Sequence, residues 1–83
     1  MKYSVQWKPN AEQQLAQLWV DADDRDAVTA AADAVESAMQ RDPENLGESR
    51  SGMNRVVFEG PLGFSFDVDS ARRTVVVLWV WRP

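Results

Sequence analysis

Residues 55–81 decide the fold of this chain, and they read RVVFEGPLGFSFDVDSARRTVVVLWVW. Two turn signals, Gly60-Pro61 and Asp69 to Arg72, divide the stretch into three β-rich segments. Consecutive strands joined by short turns predict an antiparallel meander. The last segment, Thr74 to Trp81, is apolar on both faces, so we expect it inside the sheet, with the meander on one side and the first strand of the chain on the other.

The N-terminal half of the chain predicts one strand and two helices. Tyr3, Val5 and Trp7 alternate with polar residues, as in a half-buried strand. The segment Asn10 to Gln13 resembles a capping box and would open the first helix. Four aspartates between residues 21 and 26 interrupt the helical pattern and favour the start of a second helix, because carboxylates stabilise the positive end of a helix dipole. The apolar stripes are Ala11, Leu15, Leu18, Trp19 and Ala22 in the first helix, and Val28, Ala31, Ala32, Val35, Ala38 and Met39 in the second.

The order of these elements predicts a two-layer α+β fold. We expect a β-α-α-β-β-β chain in which a helical hairpin packs on a four-stranded, mainly antiparallel sheet. Alanines on the second stripe would let the two helices approach closely. Residues 43–52 are rich in turn formers and would cross the surface, pinned by Leu46. The length of 83 residues fits a single domain, residues 1–83.

Composition excludes several chemistries. The chain has no Cys and no His, so it can form neither a disulfide framework nor a thiolate or imidazole metal site, and we expect neither a metal nor a cofactor. The aspartates lack the glycine and the distal glutamate of a calcium loop. No segment resembles a signal peptide or approaches the roughly 18 apolar residues of a membrane span. We therefore expect a cytoplasmic protein with no membrane partner.

Charge is unevenly distributed along the chain. The formal net charge is -4, which argues against a domain that simply coats nucleic acid. Ten acidic and four basic residues precede Ser49, whereas five arginines and three acidic residues lie from Ser49 onward. The predicted helices are therefore acidic, and the predicted meander carries the arginines.

Three stretches give the chain a resemblance to a known family. They are YSVQW.P.A...L..LW from Tyr3, DP..LGESR from Asp42, and RVVF.GPLGFSFDVD...RTVVVLWVWR from Arg55. Together with the order of elements, they resemble the RelE/ParE superfamily of bacterial toxin–antitoxin toxins over almost the whole chain. Members of that superfamily are typically small cytoplasmic toxins neutralised by an antitoxin encoded beside them. Some cleave messenger RNA on the ribosome, and others inhibit DNA gyrase.

The resemblance carries over to some site residues and not to others. RelE-like ribonucleases project basic residues from the meander, and several use a tyrosine near the C-terminus. Arg55 and Arg82 match two of the basic positions, but Ser65 stands where the ribonucleases place an arginine. No tyrosine follows Arg82, and the one tyrosine of the chain is Tyr3. Metal-independent RNA cleavage needs a base, a cation at the phosphate and an acid, so these departures count against it.

The sequence thus predicts a toxin-like component of a type II toxin–antitoxin system, of the plasmid-stabilisation type. It would act by binding a target, either the ribosome with its messenger RNA or DNA gyrase, and an antitoxin would neutralise it. The alternatives are a non-toxic protein-interaction module on the same fold and, third, an active RelE-type metal-independent endoribonuclease with altered residues. No catalytic residue is assigned, and the target-binding candidates are Arg50, Arg55, Trp81 and Arg82.

Each candidate also has a purely structural interpretation. The arginines could be ordinary surface residues that solvate the sheet or cap carbonyl groups. Large aromatic side chains in so small a domain belong more often to the core, and we expect this of Trp7, Trp19, Trp79 and Trp81.

Overall fold

The computed structural model describes residues 2–83. Its elements in chain order are β1 (Ser4–Trp7), α1 (Pro9–Asp21), α2 (Arg25–Arg41), a short 3-10 helix (Pro43–Asn45), β2 (Glu48–Ser49), β3 (Asn54–Glu59), β4 (Leu62–Asp69) and β5 (Thr74–Trp81). The strands form one sheet in the order β1-β5-β4-β3-β2. The predicted α+β class, with a helical hairpin on a mainly antiparallel sheet, is confirmed, but the sheet has five strands rather than four.

The fifth strand is β2, in the segment predicted as an irregular crossing. Glu48 and Ser49 pair with Val56 and Arg55 at the edge of the sheet. Two residues are too few to show the alternation that marks a strand, so the pattern could not reveal it. Gly47 makes the approach possible: its φ is +67°, and a Cβ atom there would collide with the carbonyl oxygen of Val56.

Strand β5 lies inside the sheet, as its apolar sequence predicts. It runs parallel to β1, with Val5 opposite Val75 and Trp7 opposite Val77. On its other side it runs antiparallel to β4. The parallel pair needs a long crossover connection, and the helices together with the meander supply it.

The core lies between one face of the sheet and the helical hairpin. Helix α2 buries Val28, Ala31, Val35 and Met39 of its stripe and half-buries Ala32 and Ala38, whereas α1 buries only Ala11 fully. The buried apolar residues are Tyr3, Ala11, Val28, Ala31, Val35, Met39, Val57, Leu62, Phe64, Phe66, Val68, Val75, Val77 and Val80. These fourteen side chains come from both layers and pack the hairpin against one face of the sheet. No second layer covers the opposite face within residues 2–83.

The helix starts differ from the sequence prediction. Helix α1 begins at Pro9, one residue before the expected cap Asn10, and Lys8 takes the cap position without a side-chain bond. Proline suits the first turn because its φ is already helical and its missing N–H would have had no partner there. Asp24 precedes α2 but also makes no capping bond. Its carboxylate instead accepts hydrogen bonds from Arg82.

A polar clip fastens the crossing segment to the sheet. The Tyr3 hydroxyl donates to Glu44 at 2.8 Å, and the Ser70 hydroxyl donates to the other carboxylate oxygen at 2.7 Å. The bond from Ser70, followed by that from Tyr3, lowers the pKa of Glu44 below its ordinary value of 4.5. The same carboxylate raises the pKa of Tyr3. Glu44 therefore joins the start of β1 to the turn between β4 and β5.

Replacing Glu44 with Gln should remove part of the pH dependence of stability. A carboxyl group whose pKa is lowered by folding stabilises the fold above its unfolded pKa, and the effect is lost as the pH falls through the folded pKa. The Glu44→Gln variant should be less stable than wild type at pH 7. The difference should shrink as the pH falls below 4.5, the ordinary value of this group, and vanish once the pH lies below the lowered folded pKa, so it should be smaller at pH 3 than at pH 7. Denaturant unfolding at both pH values measures the difference.

Glu59→Gln is the matched control, since Glu59 is an exposed glutamate on β3, apart from the Tyr3 and Ser70 hydroxyls that Glu44 binds. Its stability should follow that of wild type at both pH values. If Glu44→Gln and wild type differ by the same amount at pH 7 and at pH 3, the clip does not depend on the carboxylate charge.

Candidate binding surface on the open face of the sheet

The face of the sheet turned away from the helices carries a cluster of apolar side chains. Pairing places them in rows across the strands: Phe58, Gly63 and Trp81 form one row, and Val56, Ser65 and Trp79 form the next. We name the apolar set the open-face cluster, and it consists of Val56, Phe58, Leu78, Trp79 and Trp81. Phe58 is 58% exposed and Trp79 is 54% exposed.

A bulge in β5 brings two successive residues to this face. Phe66 pairs with Val77 and Ser65 pairs with Trp79, so Leu78 is one residue in excess. Val77 and Val80 are both buried in the core, and the two residues between them therefore lie on the open side. A bulge re-aims side chains in this way. Without it, Trp79 would point into the core.

Gly63 makes room for the aromatic row. The rings of Phe58 and Trp81 meet edge to face, with centroids 5.8 Å apart and an interplanar angle of 87°. A Cβ atom at Gly63 would lie 2.6 Å from two ring atoms of Trp81 and 3.0 Å from Phe58. The missing side chain thus lets Trp81 lie across β4. Trp81, a predicted binding residue, is half-buried here with its edge against Phe58.

The core position expected for the tryptophans is wrong for Trp19 and Trp79, which are exposed, whereas Trp7 packs against the core beside Phe64. Trp79 belongs to the open-face cluster, and Trp19 is 42% exposed on α1. Trp7 is half-buried and donates its indole N–H to Glu36 at 2.9 Å. Valine, leucine and phenylalanine fill the core instead, which leaves the tryptophans at its margins with an apolar body and a polar tip.

Arg55 is held by the chain itself. Its Nε donates to the carbonyl of Leu46 at 2.9 Å, and a terminal nitrogen donates to the carbonyl of Gly47 at 3.0 Å. Arg55 pairs with the buried Phe66, so its side chain starts from the helix side of the sheet and not from the open face. The guanidinium thereby fixes the crossing segment that carries β2.

Arg82 is also engaged, at the other end of the sheet. It donates to both carboxylate oxygens of Asp24, at 2.9 and 2.8 Å, and each of the two side chains is 41% exposed. The bonds from Arg82 lower the pKa of Asp24, and the carboxylate raises that of Arg82. This fork joins the end of β5 to the turn between the helices. Arg50 is exposed, and its nearest carboxylate oxygen, from Glu48, is 3.9 Å away.

The predicted site residues are therefore not brought together. Ser65, at the position where the ribonucleases place an arginine, accepts a hydrogen bond from the amide of Asn54 at 3.1 Å. Within residues 2–83, no three His, Cys, Asp or Glu side chains are grouped so that they could hold a metal ion. Nor does any helix in that range combine the length and apolar character needed to cross a membrane. The arrangement can bind an apolar surface. Ionisable side chains also meet around Glu44, which accepts hydrogen bonds from Tyr3 and Ser70 and whose pKa Arg73 and Arg55 help to lower.

Comparison with solved structures identifies the fold. The toxin–antitoxin complex RelBE2 from Mycobacterium tuberculosis contains a chain that superimposes with a TM-score of 0.82 at 19% identity, over 100% of both chains. The chromosomal ParDE toxin–antitoxin system of P. aeruginosa contains one with a TM-score of 0.74 at 19% identity, over 98% of this chain and 96% of the other. The chain has the RelE/ParE fold. By sequence, it matches no protein-family model and no curated protein.

The RelE/ParE fold confirms the architecture implied by the resemblance. Arg55 lies on β3 and Arg82 directly follows β5, but their partners could be found only in three dimensions. The exposure of Phe58 and Trp79 was missed, because alternation alone cannot tell which face of a doubly apolar strand the helices cover.

Removing the Arg55 side chain should lower stability more than removing that of Arg50. The Arg55→Ala variant leaves the carbonyls of Leu46 and Gly47 without their donors, which should cost about 1 to 2 kcal/mol of unfolding free energy. The Arg50→Ala variant should change it by less than about 0.5 kcal/mol, as at other exposed positions. Urea denaturation of both variants measures the difference. Equal stability of the two would show that Arg55 does not hold the crossing.

Proposed function

We propose that this chain is the toxin component of a type II toxin–antitoxin system, of the plasmid-stabilisation kind. It acts by binding a protein target through the open-face cluster, and a partner antitoxin neutralises it. The fold supports the class, since solved structures with the same architecture come from the toxin–antitoxin systems RelBE2 and ParDE. The expected cytoplasmic location belongs to the same proposal.

The observation that carries the binding mechanism is the exposure of Phe58 and Trp79 on an uncovered sheet face. A contiguous apolar patch of this kind usually marks a protein contact. Aromatic residues are also enriched where binding energy is concentrated, because they bury much area with little loss of side-chain freedom. The edge-to-face contact between the rings of Phe58 and Trp81 restrains both side chains before a partner binds.

RNA cleavage is the weaker alternative, and the placement of the cations is the reason. Arg55 holds carbonyl groups, Arg82 holds Asp24, and Ser65 supplies no charge on the middle strand. Stabilisation of a developing phosphate charge requires a cation aimed at it in advance. A chain that commits both arginines to its own structure has to release them first.

Charge on the open face favours a protein target over a nucleic acid. Aromatic rings can stack on bases, but proteins that bind single strands place them in a positively charged groove. Here Asp67 lies on β4 beside the cluster, opposite Asn54 and Val76, and the net charge of the chain is -4. Of the targets implied by the resemblance, DNA gyrase therefore suits this surface better than ribosome-bound messenger RNA.

Induced expression in a bacterial host should arrest growth, and the open-face variant Phe58→Ser with Trp79→Ser should not. Both side chains are more than half exposed, so their loss should remove target affinity while the unfolding free energy changes by about 1 kcal/mol or less. Growth curves and denaturant midpoints are measured for the same variants.

The matched control is Trp19→Ser with Val20→Ser, which removes one aromatic and one aliphatic side chain exposed by 42% and 55% on α1. This variant should remain toxic. If wild type does not arrest growth, the chain is a non-toxic interaction module. If the open-face variant arrests growth as wild type does, the target binds elsewhere.

Messenger RNA should stay intact in the presence of the purified protein and ribosomes. The expected result is the same primer-extension pattern with and without protein, because Arg55 and Arg82 are engaged by groups of the chain itself and Ser65 supplies no charge. Ribosome-dependent cuts that disappear in an Arg82→Ala variant would show instead that Arg82 leaves Asp24 and takes part in catalysis.

A further inference from the structure

Strand pairing arranges the open face of the sheet in rows that run across its strands. One row contains, from β2 to β5, Glu48, Val56, Ser65 and Trp79. Lys8 directly follows β1 and donates its backbone N–H to the carbonyl of Val77, so it stands at the other edge of this row. Its side chain borders a groove of the open face that Gln6, Val76 and Leu78 also line. The row therefore begins at a carboxylate and ends at a cation.

The charges in the rows and grooves of the open face balance one another. The carboxylates are Glu48, Asp67 and Asp69, and the cations are Lys8, Arg50 and Arg72. The guanidinium of Arg50 lies 3.9 Å from Glu48. That of Arg72 lies 3.8 Å from Asp69. These charges sum to zero, although the chain as a whole carries -4.

The helical layer on the other side of the molecule is acidic. From Pro9 to Arg41, seven acidic residues stand against two arginines. Although alanines on α2 had predicted a close approach of the helices, this layer contains an apolar groove of about 600 Å³ beside exposed Trp19 and Val20. Two copies of the chain that met at their helices would repel one another. Two copies that met at the neutral open face would hold their acidic layers on opposite outer sides.

A two-fold axis along β4 makes the open face complementary to itself. β4 is the middle strand of the sheet, so this axis places β3 of one copy over β5 of the other and β2 over β1. Phe58 then meets Trp81, and each contact forms twice. Glu48 meets Lys8, because both side chains are long enough to span the separation of about 10 Å between packed sheets. The angle of about 30° between such sheets moves Asp67, beyond the cluster on β4, away from its own copy.

The size of the face limits the strength of such a dimer. β4 and β5 contain eight residues each, so the face is about 26 Å long, and its five strands make it about 24 Å wide. It offers at most about 600 Å² per copy, or about 1,200 Å² in total, which is the lower limit of specific interfaces. The dimer is therefore weak and reversible, with a dissociation constant in the micromolar range.

We propose that a second copy of this chain occupies the open face and that this dimer masks the target-binding surface. The two sheets pack face to face with the helical hairpins outside, which gives four layers in place of two. The masking role rests on the proposed function, because it requires the target to bind the same face, whereas the dimer itself does not depend on it. Free toxin at high concentration is then held inactive, and a target has to displace the second copy.

Sedimentation velocity of the purified chain tests the dimer at concentrations between about 1 and about 200 µM, which span the micromolar range. Wild type should pass from monomer to dimer. The open-face variant Phe58→Ser with Trp79→Ser should stay monomeric, because its apolar interface is lost. The α1 variant Trp19→Ser with Val20→Ser should dimerise as wild type does. A wild type that stays monomeric, or loss of the dimer in the α1 variant alone, would overturn the inference.

A mixing experiment tests whether Glu48 of one copy meets Lys8 of the other. Glu48→Lys and Lys8→Glu should each weaken the dimer at least about 5-fold, because two contacts between opposite charges become repulsive. An equimolar mixture of the two variants should associate as tightly as wild type, since each lysine then faces a glutamate across the interface. If mixing gives no recovery, the inference is wrong.

Glu59→Lys and Arg41→Glu are the matched controls, because they change the net charge by the same amounts at exposed positions outside the open face. Neither variant should weaken the dimer alone, and their mixture should associate no more tightly than wild type. If this mixture gains as much affinity as the Glu48 and Lys8 mixture recovers, the attraction is between net charges, and the proposed contact does not exist.

Masking is measured by growth at graded induction. Lys8→Glu weakens the dimer and leaves the open-face cluster intact, so it should arrest growth at a lower inducer concentration than wild type. Arrest at the same concentration would show that the dimer does not mask the target. If wild type arrests growth but sediments as a monomer, the inference fails and the proposed function stands. If wild type dimerises through the open face without arresting growth, the proposed function fails and the dimer stands.

Discussion

The position of β5 between β1 and β4 is the constraint on which the rest of the structure depends. This strand is apolar on both faces, but the helical hairpin covers only one of them. Val75, Val77 and Val80 fill the core, and the bulge at Leu78 turns Trp79 outward. The exposed aromatic surface is therefore a direct result of burying the central strand in a two-layer fold. A third layer, or a partner protein, is the way to cover it.

Polar groups that could have served catalysis hold the fold together instead. Arg55 fixes the crossing segment, Arg82 joins the last strand to the turn between the helices, and Tyr3 clips Glu44. In a chain of 83 residues, a single small core contributes little excess stability. Each of these hydrogen bonds is therefore needed to hold an edge or a turn in position. The surfaces that remain free are apolar, one on the sheet and one between the helices.

Most of the architecture could be predicted from the sequence, because periodicity and turn residues report elements directly. The meander, the internal place of β5 and both helices follow from residues such as Gly60, Pro61 and the apolar stripe from Val28 to Met39. The sequence could not predict the two-residue strand β2 or the start of α1 at Pro9, since each depends on a few local contacts. The candidate site was harder to predict than the fold. The sequence identified Arg55 and Arg82 as candidate residues, but it could not reveal their partners Leu46, Gly47 and Asp24, which are distant in sequence.

Arg55 and Arg82 are committed to the fold, and we propose that the aromatic face is left for binding. Exchange of the arginine Nε–H protons in the free protein, followed by nitrogen-detected NMR, tests this most directly. Arg55 donates its Nε–H to the carbonyl of Leu46, so this proton should exchange far more slowly than the Nε–H proton of exposed Arg50. The carboxylate of Glu48 lies 3.9 Å from the Arg50 guanidinium. Equally fast exchange at Arg55 and Arg50 would mean that Arg55 does not hold the crossing segment and is free for a target.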